Sequence, residues 1–190
     1  MSLLPGFADP VAGAQESFRA ILEAMSRPGR VLRAGAGLDA PEPLHPATAA
    51  VLLTLADADT PLCHDAGAMA EAWLRFHAGC PIVAAPDTAR FVLACGEPPR
   101  LAALDAGTDE APDASATLIL QLRDLREGQG WRLRGPGIAT EHRLLAEGAP
   151  AWFAAAWEAQ LRGFPRGVDV ILCAGDRIAA LPRGIALGEG

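Results

Sequence analysis

The chain has 190 residues, 51% of them hydrophobic and 21% charged, with a net charge of −7. That is enough apolar material for one domain with a full core, which excludes a disordered chain, and the acidic balance argues against a dedicated DNA or RNA binder, which needs clustered cations. All 16 cationic residues are Arg, so neither a Schiff base to pyridoxal phosphate or a carbonyl substrate nor a lysine-bearing phosphate loop can form.

Met1 to Phe7 lacks a basic stretch followed by an apolar core, so no secretion signal is read there. Asp9-Pro10 opens a helix, with Asp as cap and Pro at the first helical position. Its apolar positions, Val11, Ala14, Phe18, Ile21, Leu22 and Met25, recur at helical spacing and predict the buried stripe. Ser26-Arg27-Pro28-Gly29 stops it, and a short strand is expected over Arg30 to Arg33. After a small-residue loop, Pro46 opens a second helix, Ala47 to Ala56, apolar enough to be central yet too short to span a bilayer. A cytoplasmic protein with no membrane contact is expected.

Asp57 to Pro61 reads as a turn and Leu62 to His64 as a short strand. A third helix is expected over Met69 to His77, with Met69, Trp73 and Phe76 on one face. Pro81 to Ala84 and Arg90 to Ala94 read as strands, Leu101 to Leu104 as a helical turn, and Ala116 to Leu122 as a strand. Arg123 to Gly130 is expected to be a polar connection. Trp131 to Arg134 alternates as a half-exposed strand, and Gly135-Pro136-Gly137 breaks it. Pro150 to Arg162 predicts a helix carrying Trp152, Phe153, Ala156 and Trp157. Val168 to Cys173 suits a strand covered on both faces, Gly175-Asp176 a turn, and Ile178 to Leu181 a second strand ended by Pro182. This hairpin needs partners on both sides. The expected architecture is a single α/β domain over residues 1–190, with a mixed β-sheet flanked by helices.

The chemistry-bearing residues admit plain readings beside sharper ones. Cys63-His64 and His77-Ala78-Gly79-Cys80 hold zinc-type ligands, but neighbours on a strand point to opposite faces. With no C-x-x-C pair, buried thiols and a structural histidine are the simpler assignment, and no metal site is expected. Cys63-His64-Asp65 lists the members of a nucleophilic triad without the convergence a triad needs. Asp57 and Asp59 fit a capped turn better than a cation site. Arg134, Arg183 and Arg75-Phe76-His77 could form an anion-binding set, because guanidinium matches phosphate oxygens in pairs.

Six stretches in order carry a resemblance: Gln15-x-x-Phe18-Arg19 through Ala24-Met25-Ser26-x-Pro28-Gly29; Leu52 to Pro61; Leu74-Arg75-Phe76-His77; Ala116 to Gln121; Gly135-Pro136-Gly137-Ile138; and Phe164-Pro165-x-Gly167-Val168-Asp169 through Pro182-Arg183. Over nearly its whole length the chain resembles the PhnH family, the H subunit of the bacterial phosphonate carbon–phosphorus lyase system. The resemblance implies a homodimer with a fold similar to pyridoxal-phosphate-dependent transferases but without that cofactor. It further implies a place beside the G, I and J subunits. With G, I and L, such a subunit supports transfer of a phosphonate onto the ribose of ATP, giving ribose 1-methylphosphonate 5-triphosphate. The J subunit, a radical enzyme, later breaks the carbon–phosphorus bond. The family brings no established catalytic residue to this chain. Its Pro-Arg is followed by a hydroxyl residue, where Gly184 stands here, and Cys63 and Cys80 lie outside its pattern.

Three functions are therefore expected to compete. In the first, the chain is a non-catalytic scaffold whose contacts include Gly135, Pro136, Gly137, Trp152, Trp157, Phe164 and Pro165. In the second, Arg19, Arg27, Arg75, His77, Arg134 and Arg183 hold a phosphonate or the triphosphate of ATP. In the third, Cys63, His77 and Cys80 make a zinc or thiol centre.

Overall fold

A computed structural model of the chain describes residues 4–188; of the Met1 to Phe7 stretch, Met1 to Leu3 lie outside the described residues. The helices are α1 (Pro10–Ser26), α2 (Pro46–Leu55), α3 (Gly67–His77) and α4 (Phe153–Leu161). Short 3-10 turns occur at Pro86–Thr88, Leu101–Ala103 and Pro112–Ala114. The strands are β1 (Leu32–Arg33), β2 (Leu62–His64), β3 (Phe91–Ala94), β4 (Thr117–Gln121), β5 (Asp124–Arg134), β6 (His142–Glu147), β7 (Asp169–Ala174), β8 (Arg177–Leu181) and β9 (Ala186–Gly188).

Six strands form the main sheet in the order β1-β8-β7-β4-β3-β2. β2, β3, β4 and β7 run parallel, and β8 and β1 join antiparallel at one edge. The hairpin β7–β8 thus has neighbours on both sides, β4 and β1, as its apolar composition demands. Alternate residues feed two separate cores. Ile119, Ile171, Cys173, Ile178 and Ala180 face one cluster with α1, α2 and α3. Leu118, Leu120, Val170, Leu172, Ala179 and Leu181 face the other, with α4 and the second sheet. That second sheet is three-stranded and antiparallel, in the order β6-β5-β9. The mixed α/β architecture expected from the sequence is present, but as two sheets rather than one.

α1 starts as its sequence requires: the Asp9 carboxylate accepts from the Val11 and Ala12 amides at 3.0 Å each. Its expected stripe is buried only in part: Ile21 is buried and Ala14 and Met25 are half-buried, but the other three residues face outward. Val11, Phe18 and Leu22 are 68%, 50% and 58% exposed, while Ser17, Ile21 and Ala24 are buried. The inward face is small because α1 lies against α2 and β8, and small side chains allow close approach. α3 repeats the pattern: Trp73, Ala70 and Leu74 point in, whereas Met69 and Phe76 are exposed. In α2, every residue from Ala47 to Leu52 is buried, in keeping with a central helix.

The stretch Arg123 to Gly130 is not a mere connection. β5 begins at Asp124 and continues to Arg134, pairing with β6 across a register shift between Glu127 and Trp131. Its outer face is solvent-facing and only Leu125 and Leu133 are fully buried, so a polar composition is compatible with a strand. β6 and β9 were also without a sequence signal. Pro81 to Ala84 contributes a single bridge, Leu62 to Ile82, instead of a strand. On α4, Phe153 stacks between Trp131 and Trp157 at ring separations of 5.3 and 5.9 Å, and the Trp157 indole donates to the Ile185 carbonyl at 2.7 Å.

Candidate functional site

Two of the motif loops meet. The turn after α1, Ser26 to Gly29, packs against the turn after β5, Gly135 to Ile138. The Ile138 amide donates to the Gly135 carbonyl at 3.1 Å and closes the second turn. Gly137 (φ +83°) approaches the first turn so closely that a β-carbon there would lie 2.2 Å from the Ser26 carbonyl oxygen. Gly29 in turn sits against Leu133 and His142, where a β-carbon would come within 2.5 and 2.7 Å of their side chains. The junction leaves an open depression of about 320 Å³ lined by Arg27, Arg30, Gly137, Thr140, Glu141 and His142.

Its charges are mostly matched. Glu141 accepts from Arg134 at 2.9 Å and lies 3.3 Å from Arg143. The Arg134 hydrogen bond holds the Glu141 carboxyl below its ordinary range, against some desolvation, with the charges of Arg134, Arg143 and Arg132 adding to it. Glu127 accepts the Val31 amide at 2.8 Å on one oxygen and stands 3.3 Å from His142 Nε2 on the other. Arg27 pairs with Glu23 at 3.5 Å across one helical turn. The Arg30 amide donates to the Arg27 carbonyl at 3.2 Å, while its guanidinium has no hydrogen-bond or ion-pair partner among the described residues.

Of the six expected anion binders, Arg27 and Arg134 come to this junction; the others lie elsewhere. Arg75 pairs with Glu71 at 3.0 Å. His77 Nε2 lies 3.0 Å from the Leu4 carbonyl, which also accepts from the Trp73 indole at 2.9 Å, so this end of α3 fastens the N-terminal segment. Arg19 is exposed on α1. Arg183 grips Asp169 through its backbone amide at 2.8 Å and through its guanidinium, which also donates to the Pro112 carbonyl. The two ends of the last motif are therefore a clasp within the fold. Beside it, Gly184 faces the ring of Phe164, which is 63% exposed.

The zinc and triad alternatives fail on geometry. Cys63 packs into the α4-side core, while His64 faces Glu71 of α3 at 3.5 Å. Asp65 is occupied by the Cys95 and Gly96 amides at 2.7 and 2.8 Å. Among the described residues no three His, Cys, Asp or Glu side chains come together to hold a metal ion, which corrects the Cys63, His77, Cys80 grouping. Burial raises the thiols of Cys63 and Cys80 and pushes those of Cys95 and Cys173 up to about 12, so they are protonated near neutrality and poor nucleophiles.

A known family matches nearly the whole chain. "Bacterial phosphonate metabolism protein (PhnH)" matches residues 5–187. The chain belongs to the PhnH family. It is 36% identical over 182 residues to the "Alpha-D-ribose 1-methylphosphonate 5-triphosphate synthase subunit PhnH" of Rhizobium meliloti (strain 1021), covering 93% of this chain and 91% of that protein. It is also 36% identical over 172 residues to the "Putative C-P lyase subunit protein HtxG" of Stutzerimonas stutzeri, covering 89% of this chain and 83% of that one. The PhnH match takes in both motif loops and the Asp169–Arg183 clasp.

Sequence reasoning missed one polar cluster in this PhnH-family chain, at the carboxyl ends of β4 and β7. Gln121 accepts from the His45 amide and the Thr48 hydroxyl at 2.7 and 2.8 Å and donates to the Pro43 carbonyl at 2.8 Å. His45 Nδ1 accepts from the Gly175 amide at 3.1 Å, which a protonated ring cannot do. His45-Pro46, a helix-start pair, was the available signal. Burial lowers the His45 pKa from its ordinary 6.5, so below that pH the unfolded chain takes up the proton first. The stabilisation is complete above the unfolded value and is lost as pH falls through the folded one. The urea midpoint is expected to drop between neutral and mildly acidic pH, and to drop less in His45→Gln; equal slopes would remove this role.

Proposed function

We propose that this chain is a non-catalytic, homodimeric scaffold subunit of a phosphonate-activating complex that makes ribose 1-methylphosphonate 5-triphosphate from ATP and a phosphonate, working in the cytoplasm beside the G, I and J subunits. Its fold is read as a cofactor-free relative of the pyridoxal-phosphate transferases. The observation that carries the scaffold reading is the fate of the candidate cations. Arg27, Arg75, Arg134 and Arg183 are each matched to a carboxylate, at Glu23, Glu71, Glu141 and Asp169. A clamp for a triphosphate needs guanidinium groups aimed at one place. The exposed apolar residues, Val11, Phe18 and Leu22 on α1, Met69 and Phe76 on α3, and Phe164, support a role in contacts between subunits.

A second reading has one observation in its favour: Arg27 and Arg30 both line the open depression at the motif junction, and the chain would then lend cations to the phosphonate or ATP site. Reconstituted complex separates the two. With Arg75→Ala, which removes only an exposed ion pair, synthase activity is expected to stay within a few-fold of the parent. A loss of about 100-fold or more, the scale of a missing charge-stabilising donor, would overturn the scaffold reading. The same loss in Arg27→Ala or Arg30→Ala alone would establish the second.

A further inference from the structure

A different surface offers binding chemistry that neither reading uses. α4 sends Phe153 and Trp157 into the core, but its neighbouring face carries Ala156, Ala159 and Gln160, followed by Gly163. A groove of about 520 Å³ lies between these residues and the facing segment of Leu101, Ala102 and Ala106. That volume lies within the roughly 300–1,000 Å³ of small-molecule sites. The Gly167 amide donates to the Ala106 carbonyl at 2.9 Å and ties the two walls together. Gln160, the one uncharged polar side chain in the lining, is held by both backbone groups of Val168 at 3.0 Å each.

The charged groups in the lining are Arg100 and Arg166, a positive rim on a chain of net charge −7. Arg166 pairs with Asp109 at 3.3 Å, both side chains more than half exposed. Such a pair contributes little in water, so an arriving acid can replace Asp109. Arg100 lies over the Trp152 ring, 4.5 Å from its centroid, and its guanidinium has no hydrogen-bond or ion-pair partner among the described residues, so its N–H groups are available to a ligand.

We propose that this groove binds an amphiphilic anion, with its apolar body along Ala156, Ala159 and Gly163 and its acidic head on Arg166, assisted by Arg100. Phosphonate, phosphate and carboxylate heads share the required chemistry, two acceptor oxygens for one guanidinium. The proposal goes beyond the scaffold reading and does not depend on it.

The test uses three probes on the intact chain, with calorimetry and tryptophan fluorescence, since Trp152 lies beside Arg100. The probes are n-octylphosphonate, n-octanol and inorganic phosphate. Octylphosphonate is expected to bind at micromolar concentration, with octanol and phosphate weaker by roughly tenfold or more, the scale of one charge-assisted hydrogen bond. Arg166→Ala should weaken octylphosphonate by a similar factor and leave octanol unchanged. Ala159→Trp, with its fold confirmed by circular dichroism, should fill the groove and remove both. Phosphate binding as tightly as octylphosphonate would overturn the proposal, as would octylphosphonate binding that survives Ala159→Trp. Absence of octylphosphonate binding below millimolar concentration would overturn it too. If Ala159→Trp then also lost association with the other lyase subunits, the groove would belong to a protein contact instead.

Discussion

Arg183→Ala is expected to destabilise the fold by about 3–5 kcal/mol, the usual cost of removing one partner from a largely buried ion pair. The side chains of Arg183 and Asp169 are only 16% and 17% exposed. Removing Arg183 leaves the Asp169 carboxylate with one backbone donor, the residue-183 amide, and deprives the Pro112 carbonyl of the guanidinium. The 3-10 turn before β4 thereby loses its side-chain tie to the β7–β8 hairpin, and the hairpin's open end keeps only its backbone bonds. Arg183→Lys should recover little, because an ammonium cannot serve two carboxylate oxygens and a carbonyl in one plane. Asp169→Asn combined with Arg183→Met should cost less than Arg183→Ala, since no charge is then left unpaired. Urea unfolding of the three variants measures this. An Arg183→Ala protein as stable as the parent, yet inactive in the complex, would mean that Arg183 serves a ligand and not the fold.

That clasp also shows how far the sequence could be read. The hairpin is legible because Val170 to Ala174 of β7 and Ile178 to Leu181 of β8 are buried on both faces, so those two runs are apolar without interruption. Once Val170 is paired with Leu181, the next step outward places Asp169 near Pro182 and Arg183. The pair was therefore within reach of a register argument, whereas a list of arginines, each weighed singly, pointed to a ligand. β5 was beyond reach for a different reason. It exposes one face, and the register shift between Glu127 and Trp131 breaks the alternation that marks a half-buried strand. α1 misleads by its chemistry: its large apolar residues, Phe18 and Leu22, face outward, and the helix buries Ser17, Ile21 and Ala24. Periodicity locates an apolar stripe; it does not say whether the core or another molecule covers it. The Arg27–Gly137 junction joins segments about a hundred residues apart, and nothing local in either turn announces the other.

The junction itself yields the second large effect. Gly137→Ala is expected to destabilise by about 2–5 kcal/mol, combining the cost of an L side chain at positive φ with that of overpacking. The new β-carbon would lie 2.2 Å from the Ser26 carbonyl oxygen and 3.0 Å from Pro28 Cδ, and neither backbone nor a proline ring can swing aside as a flexible side chain would. Gly128→Ala supplies the control. Gly128 has a similar φ, +90°, but nothing within 4 Å of its β-carbon position, so only the backbone term of about 1–2 kcal/mol applies. The difference between the two denaturation midpoints isolates the close approach of the two turns. Equal losses would mean that the turns separate at no cost and that the junction is not a fixed part of the fold. A much larger loss at Gly137 would make the junction rigid, so that Arg27 and Arg30 are held where they are by backbone contact and the depression between the turns keeps its shape whether or not anything is bound there.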